Sequence, residues 1–187
     1  MAEPLRPAAA KVFGRWNQVF VPAIAGYATG TGPTVTELTG ASSLDMTNIL
    51  FDDAPFDPQA TTNLVDQNAR LGDTETYQFV GKTAWAGGSP KYAYDPQGAD
   101  GDDGVKAYEM LQQAADGTTV TGFMVSRKAI AQGVDFAAGQ FVDVYPVEFG
   151  PSTPTNDGTA EAMEAGQSVS IAITGKPLPR AAIVAGS

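Results

Sequence analysis

The run SVSIAIT at residues 168–174 sets Val169, Ile171 and Ile173 against Ser168, Ser170 and Thr174, the period-two alternation of a strand with one face buried and one wet. The same period recurs outward from it. In residues 76–85 the aromatics Tyr77, Phe79 and Trp85 fall on one parity and Thr76, Gln78 and Lys82 on the other, as a half-buried strand requires. Residues 117–127 are rich in Thr, Val and Phe, with Gly122 marking a bulge or a close backbone approach. Phe141, Tyr145, Val147 and Phe149 share a parity with Asp143, and further strands are expected at residues 12–21 and 91–95. The chain therefore reads as mainly β.

Helical signals are few. Asp102 and Asp103 lead into an apolar stripe of Ala107, Met110, Leu111 and Ala114, with Gly117 expected as the left-handed stop. A very short second helix is expected after Pro33, where Thr34 and Glu37 have capping-box spacing and Gly40 follows.

Composition narrows the chemistry. The 187 residues contain no His and no Cys, which removes imidazole bases and ligands, thiolate nucleophiles, zinc knuckles and disulfides. A protein that works by shape and not by catalysis is expected, with no cofactor or metal. The length fits one domain, and nine Phe, six Tyr and two Trp support a folded core. A net charge of −10 disfavours partners that are polyanions, whether nucleic acid or an anionic membrane surface. The apolar stretch from Val19 to Ala25 is short and interrupted by Pro22, so neither a spanning helix nor a secretory signal is expected. Charge is uneven: residues 45–116 hold 13 acids against Arg70, Lys82, Lys91 and Lys106, a net −9, while the first 44 residues sum to +1 and the last 71 to −2.

Residues 45–72 break the β pattern with Asp-, Pro-, Asn- and Thr-rich sequence, which predicts a long loop. Its apolar residues Ile49, Leu50, Phe51, Phe56, Leu64 and Val65 have no evident place in a lone monomer and are expected to contact a neighbouring subunit. Other motifs are weaker. Asp100 to Gly104 invites calcium, but Gly104 and Leu111 stand where an EF-hand loop needs oxygen ligands, so a solvated turn is expected. The glycines of Gly30-Thr31-Gly32-Pro33 lack a following Gly-Lys-Ser/Thr and read as a turn. The pairs Asp52 with Asp53 and Glu161 with Glu164 read as solvated charge and not as a glycosidase dyad. Trp16, Trp85, Tyr92 and Tyr94 offer a sugar-binding platform only if exposed together, and core or interface anchoring is the plainer expectation.

The order of elements carries a resemblance. Val19-Phe20-Val21-Pro22-Ala23, then Pro33-Thr34-Val35-Thr36-Glu37-Leu38-Thr39-Gly40, the Leu44-Asp45-Met46-Thr47 step, the helix followed by a Val/Thr/Phe strand ending at Arg127, and Gly139 to Val147 with its Asp-Val-x-Pro-Val texture resemble major tail tube proteins of long-tailed (siphovirus) bacteriophages, particularly those of actinobacterial hosts. The resemblance covers most of the chain and is one of order and texture. It implies a single tail-tube domain over 1–187: two packed antiparallel sheets in a sandwich or barrel-like fold, one flanking helix, an N-terminal arm or strand at 1–30, the long inter-subunit loop at 45–72 and a C-terminal arm at 175–187. It further implies hexameric rings stacked into a hollow tail, with the tape measure protein, tail terminator and baseplate or distal tail proteins as partners. The subunit would be made in the host cytoplasm and end in the virion. Glu75, Asp143 and Glu148 are the candidate acids of a lumen through which DNA passes without specific binding. The rival readings are a monomeric carbohydrate-binding or adhesin-like β-sandwich and a head-tail joining or decoration protein.

Overall fold

The computed structural model describes residues 14–68, 70–72, 74–99, 101–112, 117–157 and 163–186. In chain order they form β1 (Trp16–Val21), a 3-10 turn (Tyr27–Thr29), α1 (Val35–Thr39), β2 (Leu44–Asp45), β3 (Gln59–Asp66), β4 (Gln78–Ala86), β5 (Lys91–Ala93), α2 (Asp103–Leu111), β6 (Val120–Lys128), β7 (Phe141–Asp157), β8 (Glu164–Ile173) and β9 (Leu178–Ala182). The fold is mainly β, as expected. Seven strands make one curled antiparallel sheet in the order β2-β1-β6-β7-β8-β5, with β9 also on β7, and β3 and β4 make a separate two-stranded sheet.

Strand β7 organises the large sheet. Residues 143–149 pair with β6 along one flank, while the other flank takes β9 at 141–144 and β8 at 147–157. A register shift between Phe149 and Ser152 accommodates Pro151. The alternation at 169–173 does mark a strand, and Val169 and Ile171 are buried.

Both faces of the large sheet are covered, which explains the continuous apolar run in β1. On one face Phe20, Met124, Val147, Phe149, Val169 and Ile171 pack with Leu44, Met46, Phe56, Tyr92 and the α2 residues Ala107 and Leu111. On the other, Val19, Val21, Val125, Val142 and Val144 pack with Ile24, Leu38 of α1, Ala181 and Ile183. Phe20 meets Phe149 edge to face at 5.2 Å. Gly122, opposite Val147 in an unshifted ladder, serves a close approach and not a bulge: a Cβ there would stand 2.5 Å from Phe20 Cε2 and 2.8 Å from the Val21 carbonyl.

The short helix forms as its spacing predicts. Thr34 Oγ1 accepts from Glu37 N at 3.1 Å, and Glu37 Oε2 accepts from Thr34 N at 2.7 Å. Glu37 Oε1 also accepts from Ala25 N, which ties the helix to the segment after β1. Burial pushes the Glu37 carboxyl up, but these hydrogen bonds outweigh it and hold it below its ordinary value.

One expectation needs correction, and the two terminal segments fall as follows. Helix α2 ends at Leu111 with Gln112 as its cap, so Gly117, although at φ +86°, lies too far along the chain to stop it. In the segment expected as a C-terminal arm, β9 joins the sheet, Ile183 is buried and Val184 bridges Thr34. In the N-terminal segment 1–30, residues 1–13 lie outside the described ones, and β1 belongs to the core.

Candidate assembly surface

The hairpin of β3 and β4 stands apart from the body of the protein. Its ladder runs from Gln59 opposite Ala86 to Asp66 opposite Gln78, with an irregularity between Thr62 and Leu64. Every residue of β3 is exposed, and in β4 only Gly81 is partly covered. A strand at 76–85 was rightly expected, but its half-buried face was not: Phe79 is 59% and Val80 77% exposed. An isolated two-stranded ribbon is marginal in water, and its outer edges present unpaired backbone groups.

The two faces of the ribbon differ. Ala60, Thr62, Thr83 and Trp85 share the face turned towards the body, where Trp85 meets Tyr145 edge to face at 6.0 Å and Thr62 and Thr83 share a hydrogen bond. Gln59, Thr61, Ala84 and Ala86 share the face turned away, and the irregularity between Thr62 and Leu64, where β4 carries one extra residue, interrupts the alternation before Leu64, Val65, Phe79 and Val80. One root of the ribbon is Phe56, which lies edge to face with Tyr145 at 5.6 Å. Beside it, Lys128 Nζ reaches Asp57 Oδ1 at 3.5 Å. Burial, then the carboxylates of Asp143 and Asp57, push the Tyr145 phenol up, so the hydroxyl stays neutral. The other root is Gly87 and Gly88. A Cβ on Gly87 would lie 2.4 Å from the Ile171 carbonyl, and Gly88 has φ +77°.

The six apolar residues of 45–72 separate into two sets. Leu64 and Val65 are exposed on the ribbon. Phe56, expected at a neighbouring subunit, is 0% exposed and packs in its own chain's core. Ile49 and Leu50 are partly buried against the same core, and Leu50 bridges Tyr92. Phe51 is partly buried too, donating its N–H to the Lys91 carbonyl. Segment 46–58 is thus a strap laid over one sheet face, and the loop expected at 45–72 gives way at Gln59 to strand.

The three candidate lumen acids do not converge. Asp143 and Glu148, five residues apart on an unshifted stretch of β7, point to opposite faces. Asp143 Oδ1 accepts from Arg180 N at 2.8 Å, where β9 bulges and Arg180 takes φ +53°. Glu75 lies in the exposed connection of the hairpin and accepts from the Tyr77 hydroxyl.

The family described as phage tail tube protein matches residues 10–186, nearly the whole chain. The chain belongs to the phage tail tube protein family. No curated protein matches it by sequence. The tail tube protein is a structural virion component of the phage tail. In this tail tube protein the aromatic platform of the rival reading is not assembled: Tyr92 is fully buried with its hydroxyl pushed up to about 12 by burial, Tyr94 stacks on Tyr108, and Trp16 donates to Ser126 Oγ. Asp53 pairs with Lys91 at 3.9 Å. Glu161 and Asp100 lie outside the described residues, while Asp102 Oδ2 accepts from Ala99 N in a turn before α2.

Sequence reasoning passed over Arg127, which it used only as a strand end. The side chain is 1% exposed in the tail tube protein, donating to Asn17 Oδ1, Gln140 Oε1 and the carbonyls of Val134 and Asp135, with Phe136 under its guanidinium at 4.2 Å. Burial pushes it down, opposed by Asp45 and Asp135. It pins the 129–140 connection to the sheet. An Arg near the end of a strand gives no signal of this in sequence, because two of its four acceptors are backbone carbonyls and a third, Asn17 Oδ1, is 110 residues away.

Proposed function

We propose that six copies close a ring by joining their β3–β4 ribbons edge to edge, and that rings stack into the hollow tail tube. The observation that carries this reading is the ribbon itself, a two-stranded sheet with both long edges free and Leu64, Phe79 and Val80 exposed. Six is the number that the family likeness implies. A ring of identical ribbons leaves no edge open, and head-to-tail addition of rings propagates without closing.

One face of each ribbon points away from the body and would line the lumen. The two strands of the ribbon together carry one acid, Asp66, and one base, Lys82. Residues 59–86 as a whole hold three acids and two bases, so the wall is weakly acidic in every copy. Duplex DNA carries about one charge per 1.7 Å and binds where Lys and Arg release its counterions. A wall without an excess of those residues leaves the genome hydrated and mobile. Glu75 can contribute to that wall from the ribbon's connection. Asp143 and Glu148 face opposite ways and are the weaker candidates. The tape measure protein inside the tube, a terminator at one end and distal tail proteins at the other are the expected partners, met as the subunit passes from host cytoplasm to virion.

Concentrated subunit at several salt strengths, imaged by electron microscopy, tests the reading. Long tubes of uniform width are expected. Closed rings that never stack would turn the reading to a joining protein, and monomers at every salt strength would refute it.

A further inference from the structure

We propose that Gln18, in the middle of β1, is the positioning residue that sets where the assembly ribbon leaves the body. This inference rests on the ribbon being the assembly element. Gln18 is 3% exposed, and an amide so buried is costly unless its groups are bonded. All four of its polar groups hold the strap. Its backbone N donates to Thr47 Oγ1 at 3.1 Å, and its carbonyl accepts from Met46 N at 2.8 Å. Its side chain binds both sides of one residue: Nε2 donates to the Phe56 carbonyl at 2.6 Å, and Oε1 accepts from Phe56 N at 3.2 Å. The side chain thus mimics a strand partner for Phe56.

The placement matters because Phe56 is the last buried residue before the ribbon. Asp57 and Pro58 follow, and β3 begins at Gln59. The Phe56 ring fixes how deep the strap sits, but a ring in a core can rotate and slide. The paired bonds to its N–H and carbonyl fix the direction in which the chain continues. The first ribbon strand then leaves at one angle, which edge-to-edge closure needs because a register error on any copy is repeated around the ring. No other side chain among the described residues bonds both backbone groups of Phe56.

The test compares Gln18→Met with Val142→Ala, a substitution in the core on the opposite sheet face. Wild-type hydrogen exchange comes first and needs no variant: the Phe56 amide is expected to be as protected as those of β6, and exchange as fast as the ribbon amides would overturn the inference. In Gln18→Met, Phe56 exchange is expected to quicken roughly 30-fold, the factor that two lost hydrogen bonds of ordinary net strength imply. Tube growth is expected to fall at least about fivefold, roughly the change one such bond alone produces. Val142→Ala, brought to the same melting temperature by choice of conditions, is expected to keep tube growth within about twofold. Equal loss in both variants would mean that stability and not positioning is at work, and would overturn the inference. Tubes that grow normally from Gln18→Met would sink it alone, whereas tubes that never form from the unaltered chain would sink the tube reading itself.

Discussion

Phe56 was expected at a subunit contact and is found in the core, and Phe56→Ala separates the two roles. The side chain is 0% exposed and touches Tyr145 edge to face. Burial of about 150 Å² at roughly 25 cal/mol per Å² gives close to 4 kcal/mol, and large-to-small core substitutions of this kind cost about 3–5 kcal/mol once the cavity is included. For a domain of this size that is a fall in melting temperature of about 6–20 °C. The assay is urea unfolding of dilute subunit, at a concentration where sedimentation shows only monomer, so that no contact with another copy enters. Leu64→Ala is the companion, since Leu64 is 56% exposed on the ribbon: a change within about 0.5 kcal/mol is expected there, as for an ordinary surface site. Tube growth should respond the other way, because Leu64 lies on the ribbon that joins copies. If Phe56→Ala cost the monomer less than about 1 kcal/mol, less than any core truncation of this size should, the placement of the strap in its own core would be refuted.

Two further predictions concern the body of the subunit. Replacing Arg127 by Met removes the donors to Asn17, Val134, Asp135 and Gln140, and only the Asp135 carbonyl keeps a second one, from Gln140 Nε2. A loss of about 2–4 kcal/mol is expected, with faster proteolysis confined to residues 129–140, and unchanged cleavage there would contradict the pinning. Glu37, held below its ordinary value of 4.5, contributes stability that is present above about pH 4.5 and lost as pH falls through its lower folded value. Acid titration of unfolding should show this loss in the unaltered chain and a smaller one in Glu37→Gln, and equal acid sensitivity would refute the assignment.

How much of this was legible depended on whether the deciding partner lay nearby in sequence. Thr34 and Glu37 are three apart, and their capping box formed as read. The alternation at 168–174 marks a strand because burial on one face repeats every second residue. Past Phe149 the strand pattern lost its signal, since Pro151 and Pro154 argue against a strand, yet β7 runs on to Asp157. Proline is tolerated there because Pro151 falls in a register shift and β6 no longer flanks the strand. The ribbon misled in a different way: Tyr77, Phe79 and Trp85 alternate as they would over a core, but the structure leaves Tyr77 and Phe79 largely exposed. Phe56 and Gln18 are 38 residues apart, with nothing local to announce their bond. The family resemblance supplied the fold class and the tail tube assignment, and the matching family profile bears it out.

The most direct measurement is a cryo-EM reconstruction of assembled tubes at a resolution that separates strands. The account predicts six copies per ring, with the outer edges of β3 and β4 hydrogen-bonded to adjacent copies, and one face of the ribbons lining the bore at a potential that is not positive. Ribbons lying free on the outside of the tube, or a bore lined by basic side chains from other strands, would contradict it.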